Sequence, residues 1–162
     1  MSPEEESKSN LLDWVERAAL ENIKAQMQSA DELKREANVA LNVFLAGATA
    51  SAAYSAKAFS DGTLAFAWAA LLFAALLYVL CALDLYYCLW ISDFPAPTNE
   101  PKRLLFKGED FESLRVAELN QMQIRIEKAQ ARNSVRAASL NFLRGAALLS
   151  PLIPGLALLF LR

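Results

Sequence analysis

One stretch of 28 residues constrains the fold more than any other feature of the chain. Residues 63–90, TLAFAWAALLFAALLYVLCALDLYYCLW, contain a single charged side chain, that of Asp84. About 20 apolar residues are enough for an α-helix to cross the hydrocarbon core of a bilayer. Backbone groups in that core must be satisfied internally, as they are in a helix. The sequence therefore predicts a membrane-spanning helix over 63–90.

Two further stretches are candidate spans. Residues 38–59 carry no charge before Lys57, and the short sequence SDGT joins them to the 63–90 helix, so these two spans are predicted to form an antiparallel hairpin. Residues 143–161 are the third candidate, and Pro151 and Pro154 are expected to kink this span. We therefore expect an all-α integral membrane protein with three transmembrane helices in a single membrane domain, 1–162.

Two amphipathic helices, 10–37 and 110–140, are predicted outside the spans because apolar residues recur there at steps of three and four. We expect them to be continuous with the first and third spans and to pack side by side and parallel, as a cytoplasmic stalk able to bind a partner. Their apolar stripes contain Leu12, Val15, Ile23, Met27 and Leu33 in the first helix, and Phe111, Leu114, Leu119, Met122 and Ile126 in the second. A proline-containing linker, 91–109, precedes the second helix.

An alternative arrangement lays both amphipathic helices flat on the lipid surface. Helices of that kind favour Lys and Arg on the polar face. The first 37 residues instead hold nine acidic and five basic side chains, which an anionic surface would repel. The sequence therefore favours the stalk.

The distribution of positive charge predicts the orientation. Fourteen of the 16 Lys and Arg residues lie before the first span or between the second and third spans, and only Lys57 and Arg162 lie on the other side. Positive residues accumulate in cytoplasmic loops. We expect a multi-pass protein of the bacterial inner membrane, with the N-terminus in the cytoplasm and the C-terminus in the periplasm.

Small residues four apart mark one face of the first span. Close approach of helix backbones is how spans associate where no hydrophobic effect draws them together. Two interpretations stay open: the face packs on the hairpin partner, or it mediates homo-oligomerisation. Its members are Gly47, Ala48, Ser51, Ala52 and Ser55.

Asp84 is predicted to lie at the cytoplasmic edge of the membrane. About 20 residues counted from Leu64 end near Leu83, and an ionisable residue within a span is costly and often functional. Arg144 begins the third span at the same depth, so we expect an ion pair between Asp84 and Arg144. The aromatic residues that follow are expected to be interfacial anchors at headgroup level: Tyr86, Tyr87 and Trp90.

The sequence lacks the residues and motifs that most enzymes use for catalysis. The chain has no histidine, and Cys81 and Cys88 match no zinc or redox spacing. No phosphate-binding, nucleophile-elbow or metalloprotease motif is present, and no Lys/Arg stripe suits nucleic acid. We therefore expect a non-enzymatic protein with no catalytic residues, no metal and no cofactor.

In size, span number, lack of catalytic groups and cytoplasmic N-terminus, the chain resembles the polytopic inner-membrane immunity proteins that protect bacteria from membrane-acting toxins. The resemblance implies a toxin as the protein partner, within the lipid bilayer. Two other functions stay open: a membrane-permeabilising defence effector that oligomerises through its spans, and a membrane scaffold or adaptor.

Overall fold

The computed structural model describes residues 3–90 and 111–160, and side chains within 10–90 and 111–159; the predicted linker 91–109 lies outside the described residues. The described chain is helical. Its elements are α1 (Pro3–Ser60), α2 (Leu64–Asp84), a π-helical turn (Leu85–Leu89), α3 (Phe111–Leu149) and α4 (Leu152–Phe160). Three helical stretches are long and apolar enough to cross a membrane: Asn10–Ser60, Leu64–Leu89 and Phe111–Leu159.

The predicted continuity of the amphipathic helices with the spans is confirmed. Helix α1 runs through 58 residues without a break, about 87 Å at 1.5 Å per residue. Helix α3 extends to Leu149, beyond the predicted start of the third span at residue 143. Each amphipathic stretch therefore belongs to the same helix as a candidate span.

The predicted turn between the first two spans is a Schellman cap. Gly62 has φ +76°, a left-handed conformation that glycine adopts without steric cost. The Thr63 amide donates to the Ala58 carbonyl (2.9 Å) and the Gly62 amide to the Phe59 carbonyl (3.2 Å), the two hydrogen bonds that define this cap. The chain thereby reverses within four residues and α2 starts at Leu64.

The third candidate span is interrupted once. Helix α3 ends at Leu149, where the Ser150 hydroxyl donates to the Ala147 carbonyl at 2.7 Å. Pro151 has no amide proton with which to continue the helix, and α4 begins directly after it. Pro154 lies in the first turn of α4, where amide groups have no acceptor within the helix. The expected disturbance at Pro151 is confirmed, whereas Pro154 causes no second break.

The described residues form two compact units with boundaries at 31/32 and 134/135, close to the predicted ends of the amphipathic segments. The two-helix unit comprises 10–31 and 111–134. Arg115 contacts Asp13 and Glu16, and Asn133 contacts Gln26. Residue numbers rise in the same direction along both helices from one contact to the other. The two helices are therefore parallel, as predicted.

The apolar stripes of the two-helix unit are turned inward. Ile23, Met122 and Ile126 are buried, and the other predicted stripe residues of this unit, Leu12, Val15, Met27, Leu114 and Leu119, are half-buried. Phe111 was predicted to belong to the stripe, but it is 73% exposed and lines a cleft of this unit. These stripes are therefore used for contact within the unit, and a protein partner would have to bind other residues.

The three-helix unit comprises 32–90 and 135–160. Its core joins α1, α2, the π-helical turn and α3; the buried members are Ala37, Ala40, Phe44, Ala48, Leu77, Leu80, Cys81, Cys88, Leu140 and Leu143. Leu33, the remaining predicted stripe residue, is half-buried in this unit. The most apolar windows of the three candidate spans are only 22%, 33% and 17% buried within the chain. The outward surface is therefore strongly apolar, as a lipid-facing surface would be.

Candidate functional site: the polar layer at the end of the second span

Asp84 is the most unusual polar residue of the three-helix unit. It is the last residue of α2 and is 0% exposed, and neither carboxylate oxygen makes a hydrogen bond of standard geometry among the described residues. Cys81 and Cys88 lie three residues before and four residues after it, which places both thiols on the same helical face; both are buried and outside any disulfide, and the Cys88 thiol is near enough to act on Asp84 as a weak donor. A buried carboxylate with no strong donor is costly, so its presence in this core calls for a functional explanation.

A π-helical turn follows Asp84 immediately. The turn covers Leu85–Leu89 and brings Cys88 into the core. Turns of this kind are rare, and they occur frequently at functional sites because they displace the side chains that follow them. Arg136 of α3 is 7% exposed and donates from Nη2 to the Trp90 carbonyl at 3.5 Å. It thus satisfies one of the carbonyls left without an acceptor bond where the helix ends.

The predicted ion pair between Asp84 and Arg144 is wrong. Arg144 Nη1 lies 3.0 Å from Glu36 Oε2, and these side chains are 42% and 50% exposed. The positive charge of Arg144 still acts on Asp84 electrostatically, without a hydrogen bond. An ion pair with half-solvated Glu36 requires less desolvation than one with fully buried Asp84. Glu36, Asp84 and Arg144 together are called the polar layer below.

Glu36 was not predicted as a site residue, because it lies within the predicted amphipathic helix 10–37, where charged side chains are expected on the solvent-facing side. A signal was available: Glu36 lies two residues before the predicted start of the first span at 38, at the depth expected for Arg144. The number of residues counted from the start of each predicted span therefore identifies the carboxylates that could pair with Arg144. It does not show which of them does.

The aromatic residues beyond Asp84 are exposed, as expected for interfacial anchors. Tyr86 packs edge-to-face on Tyr87 with 4.9 Å between ring centroids, and its ring lies 6.1 Å from that of Trp90. All three side chains are more than half exposed. Their location beside the polar layer suits headgroup level, where amphipathic rings accumulate.

The small-residue face of the first span packs within the chain. A Cβ added to Gly47 would lie 3.0 Å from Leu77 Cδ1, and the Ser55 hydroxyl donates to the Ala67 carbonyl at 2.8 Å. Ala48 is buried in the same interface, and Ser51 and Ala52 are half-buried. This arrangement corresponds to the first interpretation of the face, contact with the hairpin partner.

The two-helix unit carries a cleft at the end where α3 begins. Its volume is about 530 Å³; its lining residues are Asp13, Glu16, Leu20, Phe111, Leu114, Arg115, Glu118, Leu119 and Met122. The Arg115 guanidinium donates to Asp13 and, at 2.8 Å, to Glu16. These two hydrogen bonds raise the pKa of Arg115, which keeps it charged. Large apolar side chains are exposed at this end of the unit: Leu11 (59%), Trp14 (67%) and Phe111 (73%).

Among the described side chains, 10–90 and 111–159, no group of three or more Cys, Asp and Glu residues is arranged to hold a metal ion. Cys81, Asp84 and Cys88 share a face but do not form such a group. The polar layer therefore offers a buried carboxyl and an ion pair, not a ligand set.

No family model matches the chain, and no significant match was found among curated proteins or among solved structures. Any functional argument consequently rests on the residues and their geometry.

Proposed function

We propose that this chain is a membrane-embedded protein that acts by binding another protein, without a catalytic step of its own. The observation that carries the proposal is the exposed apolar end of the two-helix unit. Trp14 is 67% exposed, and Leu11 on the same helix is 59% exposed. An exposed Trp and an exposed Phe at the same end of the unit as an apolar cleft are typical of a protein-binding site, because truncating such residues costs most of the binding energy at interfaces.

The partner that best fits the resemblance is a membrane-acting toxin, which makes the chain an immunity protein of the bacterial inner membrane. Three candidate spans with outward apolar surfaces would hold it where such a toxin acts. The exposed end of the two-helix unit would then contact the cytoplasmic part of the toxin or of its insertion machinery. A scaffold or adaptor would use the same surface with a different partner.

The contacts of the small-residue face favour this function over a pore-forming effector. Gly47 and Ser55 already pack against α2. A pore built through that face would first require the hairpin to open, which breaks the Ser55 hydrogen bond and exposes Leu77. An effector that oligomerises through this face is therefore the less favoured alternative.

Photocrosslinking in cells tests the proposal at the surface that carries it. A photoreactive amino acid at Trp14 should give one discrete crosslinked protein, and Phe111→Ser should abolish that product because both side chains are exposed at the same end of the two-helix unit. Glu21, exposed on the same helix, is the matched control position and should give no such product. Equal crosslinking from Trp14 and Glu21, or none from Trp14, would refute a partner site here.

Expression of the chain alone distinguishes the functions. An immunity protein or scaffold should leave membrane potential and growth unchanged, whereas an effector should depolarise the membrane. Protection of the same cells against a membrane-acting toxin encoded beside the gene, lost with Trp14→Ala, would identify the partner class.

A further inference from the structure

A second apolar groove lies in the three-helix unit, between α1, α2 and α3. Its volume is about 500 Å³, within the range of small-molecule sites. Apolar side chains that form its walls include Val39, Val43 and Phe44 of α1, Phe73 and Leu77 of α2, and Leu148 of α3. Arg144 is the one charged residue among the described residues that line it.

The length of the groove along α1 matches the thickness of one membrane leaflet. It extends along α1 from Val39 to Gly47, and the Glu36 side chain lies one turn before its first lining residue. The 11 residues from Glu36 to Gly47 rise about 16 Å, roughly half of the 30 Å hydrocarbon core. Gly47 and Leu77 line the inner part of the groove. One acyl chain of a lipid in the cytoplasmic leaflet would have this length and polarity.

The mouth of the groove carries one positive and one negative charge. Arg144 Nη1 and Glu36 Oε2 are 3.0 Å apart, and both side chains are about half exposed. Each side chain can therefore form a further hydrogen bond. Arginine has five N–H donors and a carboxylate has about four acceptor sites, of which this ion pair uses few. The two groups are next to each other, like the phosphate and ammonium of a zwitterionic headgroup.

We propose that this groove binds a phospholipid whose headgroup contains a phosphate and a primary ammonium, with one acyl chain between α1 and α3. The phosphate accepts hydrogen bonds from Arg144, and the ammonium donates to Glu36. The four charges then alternate in sign around the site, and the existing ion pair is kept. Charge-assisted hydrogen bonds of this kind are the strong ones.

The site is expected to distinguish lipids by their headgroups. A choline headgroup has the positive charge but no N–H donor for Glu36. A glycerol headgroup has no positive charge, and its phosphate would be repelled by the Glu36 carboxylate. The proposal rests on the membrane embedding of the three candidate spans and is independent of which protein partner binds the two-helix unit.

Lipid retention by the full chain tests the site. The protein is reconstituted in vesicles of equimolar phosphatidylethanolamine, phosphatidylglycerol and phosphatidylcholine, extracted with a mild detergent and analysed by native mass spectrometry. We expect one retained phosphatidylethanolamine, favoured over each of the others by about tenfold, the preference that one such interaction supplies. Retention of the three lipids in proportion to their supply would overturn the proposal.

Variants locate the site. Glu36→Gln should remove the preference for the primary ammonium, and Arg144→Gln should reduce retention of phosphatidylethanolamine by about tenfold. The matched control is Lys24→Gln, which removes an exposed positive charge outside the groove and should leave the retention of all three lipids unchanged. If Arg144→Gln fails to fold, Val43→Trp keeps the ion pair but fills the groove, and it should also lower retention. Unchanged retention in Val43→Trp together with an unchanged preference in Glu36→Gln would overturn the proposal.

Discussion

Replacing Asp84 with valine is predicted to stabilise the protein. Removal of a buried charged residue usually destabilises, because it leaves its partner unpaired. Neither Asp84 oxygen makes a hydrogen bond of standard geometry among the described residues, and the side chain is 0% exposed. The Cys88 thiol acts on Asp84 only as a weak donor, so the wild-type protein bears most of the desolvation cost of a polar group without a good hydrogen bond, about 1–3 kcal/mol. An apolar side chain of similar size removes that cost, and the helix propensities of valine and aspartate are about equal, so the exchange adds no large backbone penalty.

Ser55 is the matched control, because it is also a buried polar residue of the three-helix unit. Its hydroxyl is satisfied by the Ala67 carbonyl at 2.8 Å. Ser55→Ala should therefore lower the free energy of unfolding, by about 0.5–1.5 kcal/mol. The two substitutions are expected to have opposite signs, although both replace a buried polar residue by an apolar one.

The assay is thermal unfolding in detergent micelles, followed by far-ultraviolet circular dichroism. For a chain of this length, 1 kcal/mol corresponds to a shift of about 2–4 °C in Tm, so Asp84→Val should unfold about 2–12 °C higher than wild type. A lower Tm for Asp84→Val would refute the reasoning, because it would show that the carboxylate makes a stabilising contact. A rise in Tm accompanied by loss of toxin protection would instead mark Asp84 as a residue kept for function at the expense of stability.

Two predictions concern glycine positions. Gly47→Val should lower the free energy of unfolding by about 1–3 kcal/mol, because an added Cβ already lies 3.0 Å from Leu77 Cδ1; the same change at Gly145, where nothing lies within 4 Å, should not. Equal losses at both positions, measured by chemical denaturation, would show that Gly47 is not in a close helix contact. Gly62→Ala should cost about 1–2 kcal/mol because φ there is +76°, and Gly62→Asn should cost less, since asparagine tolerates the left-handed region. Equal stability of the two Gly62 variants would contradict the assignment of the Schellman cap.

Features that depend on periodicity could be predicted from the sequence. Ile23 and Met122 are buried because steps of three and four put them on one helical face, and any neighbouring apolar surface would bury that face. The turn at Gly62 was predictable for a similar reason: its residues determine the local conformation without help from distant parts of the chain.

Features that depend on a choice between neighbours could not be predicted. Arg144 lies at the depth of both Glu36 and Asp84, and helix rotation, which the apolar pattern determines only approximately, decides which carboxylate it reaches. The π-helical turn after Asp84, Leu85–Leu89, contains no glycine or proline that would have signalled a departure from α-helical geometry. Phe111 illustrates a third cause: periodicity indicates which face of a helix a side chain lies on, but not how far the neighbouring helix covers it.

The central claim is that the chain crosses the membrane three times, with the two-helix unit in the cytoplasm and the Asp61–Gly62 turn on the opposite side. Single cysteines at Asp61 and Gln121, both exposed, can be tested with a membrane-impermeant maleimide after Cys81 and Cys88 are replaced by alanine. We expect Asp61→Cys to be labelled in intact spheroplasts, and Gln121→Cys to be labelled only after the membrane is permeabilised. Labelling of Gln121→Cys in intact spheroplasts, or protection of both positions, would contradict the central claim.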